Sequence, residues 1–206
     1  MFGCRTAVGL ALLLFFFSSL AARAQVGVYG TVTGERLGGF TCLSESGQCA
    51  ASGGVAKPYG ATFGGYYDFR SIGPVRLGVD VRGSVLNSNK SAVTDNSSVD
   101  FVRQYSALGG LRGEFKTPFH WLHPYGQVSA GLGRTNADFP ASTEFPNGSS
   151  RNYQNFTQVQ GFAGADITLL PILDLRAIEL GAGEMFGPSS HSIQSIGIGV
   201  VFHTPR

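Results

Sequence analysis

The stretch Val75-Arg-Leu-Gly-Val-Asp-Val-Arg-Gly-Ser-Val-Leu86 alternates between apolar residues and polar or small ones. A period of two is typical of a β-strand whose two faces meet different surroundings. Valine and leucine side chains share one face, while Arg76, Asp80 and Arg82 lie on the other. The stretch therefore predicts a strand that separates an apolar environment from a charged one.

Two architectures provide such a pair of environments. In a soluble sandwich the apolar face packs against a second sheet. In a membrane barrel it faces lipid, and the charged face points into the lumen. The same alternation recurs in residues 26–33, 57–69, 101–115, 125–134, 156–169, 174–185 and 192–203. Together with 75–86 these segments predict eight strands, most of them near the ~9–11 residues that a tilted strand needs to cross a membrane.

The lengths of the predicted connections favour the membrane barrel. In chain order the connections are residues 34–56, 70–74, 87–100, 116–123, 135–153, 170–173 and 186–191. The three longest occupy odd positions, as expected for a barrel with long outer loops and short periplasmic turns. We therefore predict an all-β protein over residues 25–206, an eight-stranded antiparallel transmembrane up-and-down β-barrel with both termini in the periplasm.

Aromatic residues collect at one end of the predicted strands. Rings that are apolar in body and polar at one edge are favoured at a membrane interface. The sequence therefore predicts an aromatic girdle at the periplasmic end, formed by Tyr67, Phe69, Phe115, Trp121, Tyr125 and Phe202, with Phe119 beside them.

The first 24 residues are expected to be a cleaved signal peptide and to direct the chain to the outer membrane. Arg5 precedes an apolar stretch, and Ala22-Arg23-Ala24 fits a small-x-small cleavage site. The apolar stretch is too short for the ~20 residues of a spanning helix. Removal of Arg5 and Arg23 lowers the number of basic residues from 15 to 13, which equals the 13 acidic ones. No basic surface is left that would indicate nucleic acid as a partner.

Two cysteines, Cys42 and Cys49, follow the expected cleavage site. In an exported protein such a pair usually forms a disulfide, which here would stiffen the first outer loop. A metal or redox site is the alternative, but the spacing is not CxxC and no histidine is near. We identify no cofactor motif and no metal site in the sequence.

The C-terminal pair of segments, residues 173–180 and 195–202, resembles the small eight-stranded outer-membrane barrels of the OmpA-like and opacity-protein type. The resemblance implies an outer-membrane barrel in contact with lipid and lipopolysaccharide. It also implies that the barrel assembly machinery reads the aromatic Phe202 near the end of the last strand, although His203 to Arg206 extend beyond it.

Strand parity predicts which charges point into the lumen. These residues are Asp68, Arg76, Asp80, Arg82, Arg112, Glu114, Asp166 and Glu179. Their mixed signs predict a network of ion pairs, and an eight-stranded barrel is only wide enough for its own side chains. A plugged lumen is therefore favoured over a pore. Strict parity also places Arg176 on the lipid side, near the interface.

No arrangement of residues predicts catalysis. His191-Ser192 lies in the last outer connection, but neighbouring residues of a strand face opposite ways. Barrels that deacylate lipid A carry serine two residues after histidine, where this chain has Ile193. The leading hypothesis is a non-enzymatic barrel with a role in envelope integrity or adhesion, through the long, polar loops at 35–56, 87–100 and 135–153. A narrow channel, a lipid-modifying enzyme and a soluble periplasmic barrel remain alternatives.

Overall fold

A computed structural model describes residues 25–40, 54–88, 102–136, 153–187 and 190–205. Regular structure in these ranges is β-strand throughout, and none of it is a helix long and apolar enough to cross a membrane. The strands are β1 Gln25–Phe40, β2 Gly54–Ala56, β3 Tyr59–Ile72, β4 Val75–Ser88, β5 Val102–Phe115, β6 Leu122–Thr135, β7 Gln154–Leu170, β8 Leu173–Phe186 and β9 His191–His203.

The strands form one closed antiparallel barrel. Each of β3 to β8 pairs with the next strand along the chain, and β1 closes the barrel by pairing with both β3 and β9. The short β2 pairs only with the far end of β1 and continues the line of β3 across Lys57-Pro58. Proline has no N–H to donate, but the Pro58 carbonyl still accepts from the Glu35 N–H at 2.8 Å. The predicted eight-stranded barrel is confirmed, with β2 and β3 sharing one position in the wall.

The strands are longer than the sequence pattern indicates. β1 was expected to end at Thr33 but continues to Phe40, and β7 contains 17 residues. The pattern ends early because the outward Arg36 and the inward Leu37 break the alternation of apolar outer and polar inner residues. Outside an apolar belt the outer face of a strand can be polar without loss of pairing, so the ladder continues where the alternation stops.

The barrel has two distinguishable ends. At one end, the turn end, the connections 73–74, 116–121 and 171–172 are short. The first and last strands also meet here, where Gly27 pairs with His203. At the other, the loop end, the chain passes through residues 41–53, 89–101 and 137–152, which lie outside the described residues.

The outer surface is an apolar belt. Its exposed side chains include Val28, Val32, Phe63, Val81, Leu111, Val128, Leu132, Leu180, Ile196 and Ile198. A continuous apolar surface of this extent is uncommon on soluble monomers and marks contact with a membrane or a partner.

Inside the barrel, tyrosine rings lie over glycines of the neighbouring strand. A Cβ added to Gly64 would come 2.3 Å from the Tyr29 hydroxyl, and one added to Gly27 would come 2.4 Å from the Tyr66 ring. Both distances are too short for any real contact. These inward-facing glycines therefore provide the space in which the tyrosines cross the narrow lumen.

We predict that Gly64→Ala lowers the free energy of unfolding by about 1–3 kcal/mol, because the added methyl overpacks the interior. Gly83→Ala is the matched control, since its Cβ would be 3.6 Å from the nearest atom, the Ser106 carbonyl oxygen. Urea titration of each variant in lipid vesicles measures the difference. Equal stability of the two variants would show that the Tyr29 contact is not restrictive.

Candidate functional site: the charged interior of the barrel

All eight charged residues predicted for the lumen lie inside the barrel. Seven of them are buried, namely Asp68, Asp80, Arg82, Arg112, Glu114, Asp166 and Glu179. The eighth, Arg76, keeps 22 % of its side chain exposed near the turn end. The alternation of each strand brings these residues from β3, β4, β5, β7 and β8 into one enclosed space.

The first half of the interior network joins opposite walls of the barrel. Arg82 of β4 donates to Glu179 of β8 at 2.9 Å, and its Nε lies 3.3 Å from Asp80. Glu179 also accepts from Arg176 at 3.1 Å. One carboxylate therefore lies between two guanidinium groups, which neutralises charge that could not be solvated in so narrow a space.

The second half continues the same alternation of sign towards the turn end. Arg176 binds Asp166 through two nitrogens, at 2.9 Å and 3.2 Å. Asp166 lies 3.3 Å from Arg112, and Arg112 lies 3.5 Å from Glu114. Glu114 in turn lies 3.5 Å from Arg76. We name the whole series, Asp80, Arg82, Glu179, Arg176, Asp166, Arg112, Glu114 and Arg76, the charge chain.

Arg176 corrects the sequence prediction, which placed it on the lipid side. Its side chain is 1 % exposed and lies at the middle of the charge chain. The cause is a β-bulge: β8 has three steps between Arg176 and Glu179, whereas β9 has two between Gly199 and Gly197. The extra residue lets both Arg176 and Glu179 point inward, which strict alternation forbids.

Aromatic rings cover the faces of the buried arginines. The Arg82 guanidinium lies 3.7 Å from the Phe162 centroid, and that of Arg112 lies 3.8 Å from the Tyr66 centroid. The Arg176 guanidinium lies close to two rings, at 4.2 Å from the Tyr29 centroid and 4.6 Å from the Tyr125 centroid. Guanidinium groups are weakly hydrated and stack well on aromatic rings, so these rings take the place of water beside each cation.

Tyr125 is the second correction. It was assigned to the aromatic girdle, but it is 3 % exposed and its hydroxyl donates to Glu179 at 2.5 Å. The strand β6 begins at Leu122, three residues before the predicted start, and parity from there directs Tyr125 inward. The other girdle residues, Tyr67, Phe69, Phe115, Trp121 and Phe202, are exposed on the outside near the turn end, as is Phe119.

Uncharged side chains complete the hydrogen bonding of the network. Gln127 donates to Asp80 at 2.7 Å and accepts from Arg82 at 2.9 Å. The Tyr29 hydroxyl is 3.0 Å from both Asp80 oxygens. Gln127 and Tyr29 were not predicted from the sequence as members of the network, although the alternation along their strands places both side chains inward. Only the interior packing shows which partners they meet.

Histidines extend the polar interior at the turn end. The ring of His203 lies 3.1 Å from Asp174, and that of His123 lies 3.5 Å from Glu114. Asp174 and His203 are buried. Neither was predicted as a lumen residue, although both were the terminal residues of predicted strands. His203 lies inward by parity, whereas strict parity puts Asp174 on the outer face with Arg176, and the same bulge in β8 brings Asp174 and Arg176 inward.

The loop end of the lumen is closed by apolar side chains. This apolar seal consists of Leu37, Ala56, Val102, Phe156, Met185 and Ile193, all buried. Between the seal and the charge chain lies a small space lined by hydroxyl groups, including those of Thr33, Thr62 and Ser84, with a volume of about 10 Å³. That is about enough for one water molecule, so this part of the lumen is filled by side chains.

Of the remaining predicted sites, the histidine–serine pair lies within the described residues and the cysteines and the signal peptide lie outside them. His191 is buried and its ring lies edge-on to Phe156 at 5.2 Å, whereas Ser192 is exposed on the opposite face of β9. The two cannot act as a catalytic pair in this arrangement. Cys42, Cys49 and the expected signal peptide lie outside the described residues.

The closed barrel, apolar outside and charged inside, defines the fold class of small outer-membrane β-barrels. Among solved structures, the attachment invasion locus protein Ail of Yersinia pestis, in complex with the heparin analogue sucrose octasulfate, has a TM-score of 0.53. It is 14 % identical, over 87 % of this chain and 98 % of Ail.

Two further structures agree with this assignment. Neisserial surface protein A has a TM-score of 0.50 and 17 % identity, over 89 % of this chain and 97 % of its own. OprG of Pseudomonas aeruginosa has a TM-score of 0.51 and 10 % identity, over 89 % and 97 %. No protein-family description matches the sequence, and no curated protein does. The predicted resemblance to small outer-membrane barrels is confirmed at the level of the fold.

We predict that Arg176→Met lowers the free energy of unfolding by about 3–5 kcal/mol, because it leaves Asp166 and Glu179 without their shared cation. Arg70→Met is the matched control: Arg70 is exposed near the turn end of β3, and its loss is expected to change stability by less than about 0.5 kcal/mol. Urea titration in vesicles measures both variants. If Arg176→Met is as stable as the wild type, the cation that Asp166 and Glu179 share does not stabilise the barrel.

Proposed function

We propose that this chain is a non-enzymatic outer-membrane barrel that closes its own lumen and acts through its loop end, in envelope integrity or surface binding. The apolar belt on the outer surface is the observation that carries the membrane placement. An exterior of exposed valine, leucine and isoleucine is stable in lipid and costly in water. In this proposal residues 1–24 are the export signal, and the turn end faces the periplasm.

The filled interior supports a structural role over transport. The charge chain spans the lumen from β4 to β8, and the apolar seal covers it on the loop side. An ion would have to break buried ion pairs and then cross an apolar layer. Such a barrel is a rigid support, and binding is then the task of the loops that it holds.

The composition of the loop-end segments restricts what they would bind. Residues 41–53, 89–101 and 137–152 carry five acidic residues, Glu45, Asp95, Asp100, Asp138 and Glu144, and only two basic ones, Lys90 and Arg151. Ail was solved with a sulfated sugar, but an excess of acidic residues in these segments disfavours a polyanion as their own ligand. We therefore propose ligands that are neutral or cationic for these loops.

The membrane placement predicts two behaviours of the exported chain. It should fractionate with membranes and migrate differently on gels before and after boiling, because a folded barrel resists detergent. Val81→Arg, at the middle of the belt, should lower stability by about 2–4 kcal/mol. Gln194→Arg, exposed beyond the belt on β9, is the control, with an expected change of about 0–1 kcal/mol. A chain that stays in the aqueous fraction and shows no mobility shift would contradict the proposal.

The closed lumen predicts that the purified barrel produces no conductance steps in a planar lipid bilayer. The channel alternative predicts steps that grow when Arg82→Ala removes the cation between Asp80 and Glu179. Arg36→Ala, outside the lumen, is the matched control. If the wild type produces conductance steps that increase in Arg82→Ala but not in Arg36→Ala, the protein is a channel and the proposed structural role is wrong.

A further inference from the structure

A groove of about 360 Å³ opens on the outside of the barrel near the loop end, where β1 lies between β3 and β9. The register of the three strands aligns their outward positions in two rows. The lower row consists of Tyr59, Gly34 and Ile196. The upper row consists of Lys57, Arg36 and Gln194, which lie two residues, or about 6–7 Å, closer to the loop end on each strand.

The lower row is an apolar slot. Tyr59 and Ile196 are exposed, and Gly34 between them has no side chain. A Cβ at Gly34 would have the Ile196 Cγ2 atom, 4.0 Å away, as its nearest neighbour, so the slot is open and not occupied by a packed ring. Such a slot can take a hydrocarbon chain, which needs only apolar contact on both sides.

The upper row is cationic. Arg36 and Lys57 lie side by side, since Leu37 pairs with Ala56 and Gly34 with Tyr59 in one continuous register. Both are exposed, and neither forms an ion pair with a carboxylate among the described residues. The carboxylate of the adjacent Glu35 points into the barrel and accepts from Gln104 at 2.7 Å, so it does not serve as their partner.

We propose that this groove binds a phosphorylated, multiply acylated lipid of the outer leaflet, with one acyl chain in the slot and a phosphate between Arg36 and Lys57. The proposal rests on the proposed membrane placement, which puts the boundary between the apolar belt and the polar rim at the level of lipid phosphates. Charge complementarity selects a phosphate, and the slot directly below the cations requires that the phosphate be attached to a hydrocarbon chain. A soluble anion would use the upper row alone.

A second pair of cations on the same rim provides the comparison. Arg103 and Arg134 are exposed on β5 and β6, but Tyr105 stands in register with Arg134, and the guanidinium of Arg134 lies 4.7 Å from the Tyr153 centroid. Arg103 lies one row closer to the loop end, beside Asn136, so the two cations are diagonal neighbours, and the position below Arg103 and beside Arg134 holds the Tyr105 ring. This pair has the same charge as Arg36 and Lys57, but a ring stands where the groove has Gly34.

The test uses the folded full chain in micelles of an uncharged detergent, with bis-phosphorylated lipid A as the probe and native mass spectrometry as the readout. Arg36→Gln with Lys57→Gln is expected to weaken lipid A binding at least tenfold. Gly34→Leu, which fills the slot and leaves the charges, is expected to weaken it several-fold. Arg103→Gln with Arg134→Gln is the matched control, expected to stay within about twofold of the wild type. Lipid A stripped of its phosphates should bind the wild type as weakly as lipid A binds the first variant.

Three results would contradict the proposal that this groove binds a phosphorylated lipid. The first is unchanged binding in the Arg36 and Lys57 variant, and the second is equal binding of the dephosphorylated lipid. The third is an equal loss in the Arg103 and Arg134 variant, which would indicate a general electrostatic effect of the rim. The boiling-dependent mobility shift is recorded for every variant. Loss of the shift in the wild type refutes the membrane placement itself, whereas a normal shift without selective binding refutes the groove alone.

Discussion

Glu179 accepts from Arg82, which reaches it from the opposite wall of the barrel, and from Arg176 on its own strand, and most of the interior is arranged around these two contacts. The lumen of an eight-stranded barrel is wide enough for side chains and too narrow for bulk water. A charge placed there must be neutralised by another side chain or it destabilises the fold. The charge chain satisfies this condition by alternation of sign, since Glu179 and Asp166 each lie between two guanidinium groups.

This constraint explains features that look unrelated along the sequence. The bulge in β8 exists where two inward charges are an odd number of residues apart, and it brings Arg176 within reach of both Glu179 and Asp166. The inward glycines exist where a tyrosine crosses the lumen to cover a guanidinium or to donate to a carboxylate. Replacing one member of such an arrangement disturbs its partners on several strands, which makes the interior cooperative rather than a sum of separate pairs.

Alternation of residues was enough to predict the eight strands, their order and the inward charges, because lipid outside and packed side chains inside impose opposite chemistry on successive residues. The errors lie where that rule has exceptions. One extra residue in β8 reversed the parity of Arg176, and no local signal in Arg176-Ala-Ile-Glu179 marks the bulge. Tyr125 was misassigned because a tyrosine suits both an interface and a polar interior, and only its distance to Glu179 decides. The contacts of the outer groove depend on the register between β1, β3 and β9, which the sequence of one strand does not contain.

The closed interior also determines where function can lie. Side chains that would line a channel or an active site in a wider barrel are here bound to one another, and the apolar seal separates them from the loop end. The free chemical groups of the described chain are therefore on the rim, where strands longer than the apolar belt carry exposed cations such as Arg36 and Lys57. The extension of β1 beyond Thr33 contributes Leu37 to the apolar seal on the inside of the wall. On the outside it places Arg36 beside Lys57 and directly above an apolar slot, so this part of the rim is a surface suited to recognition.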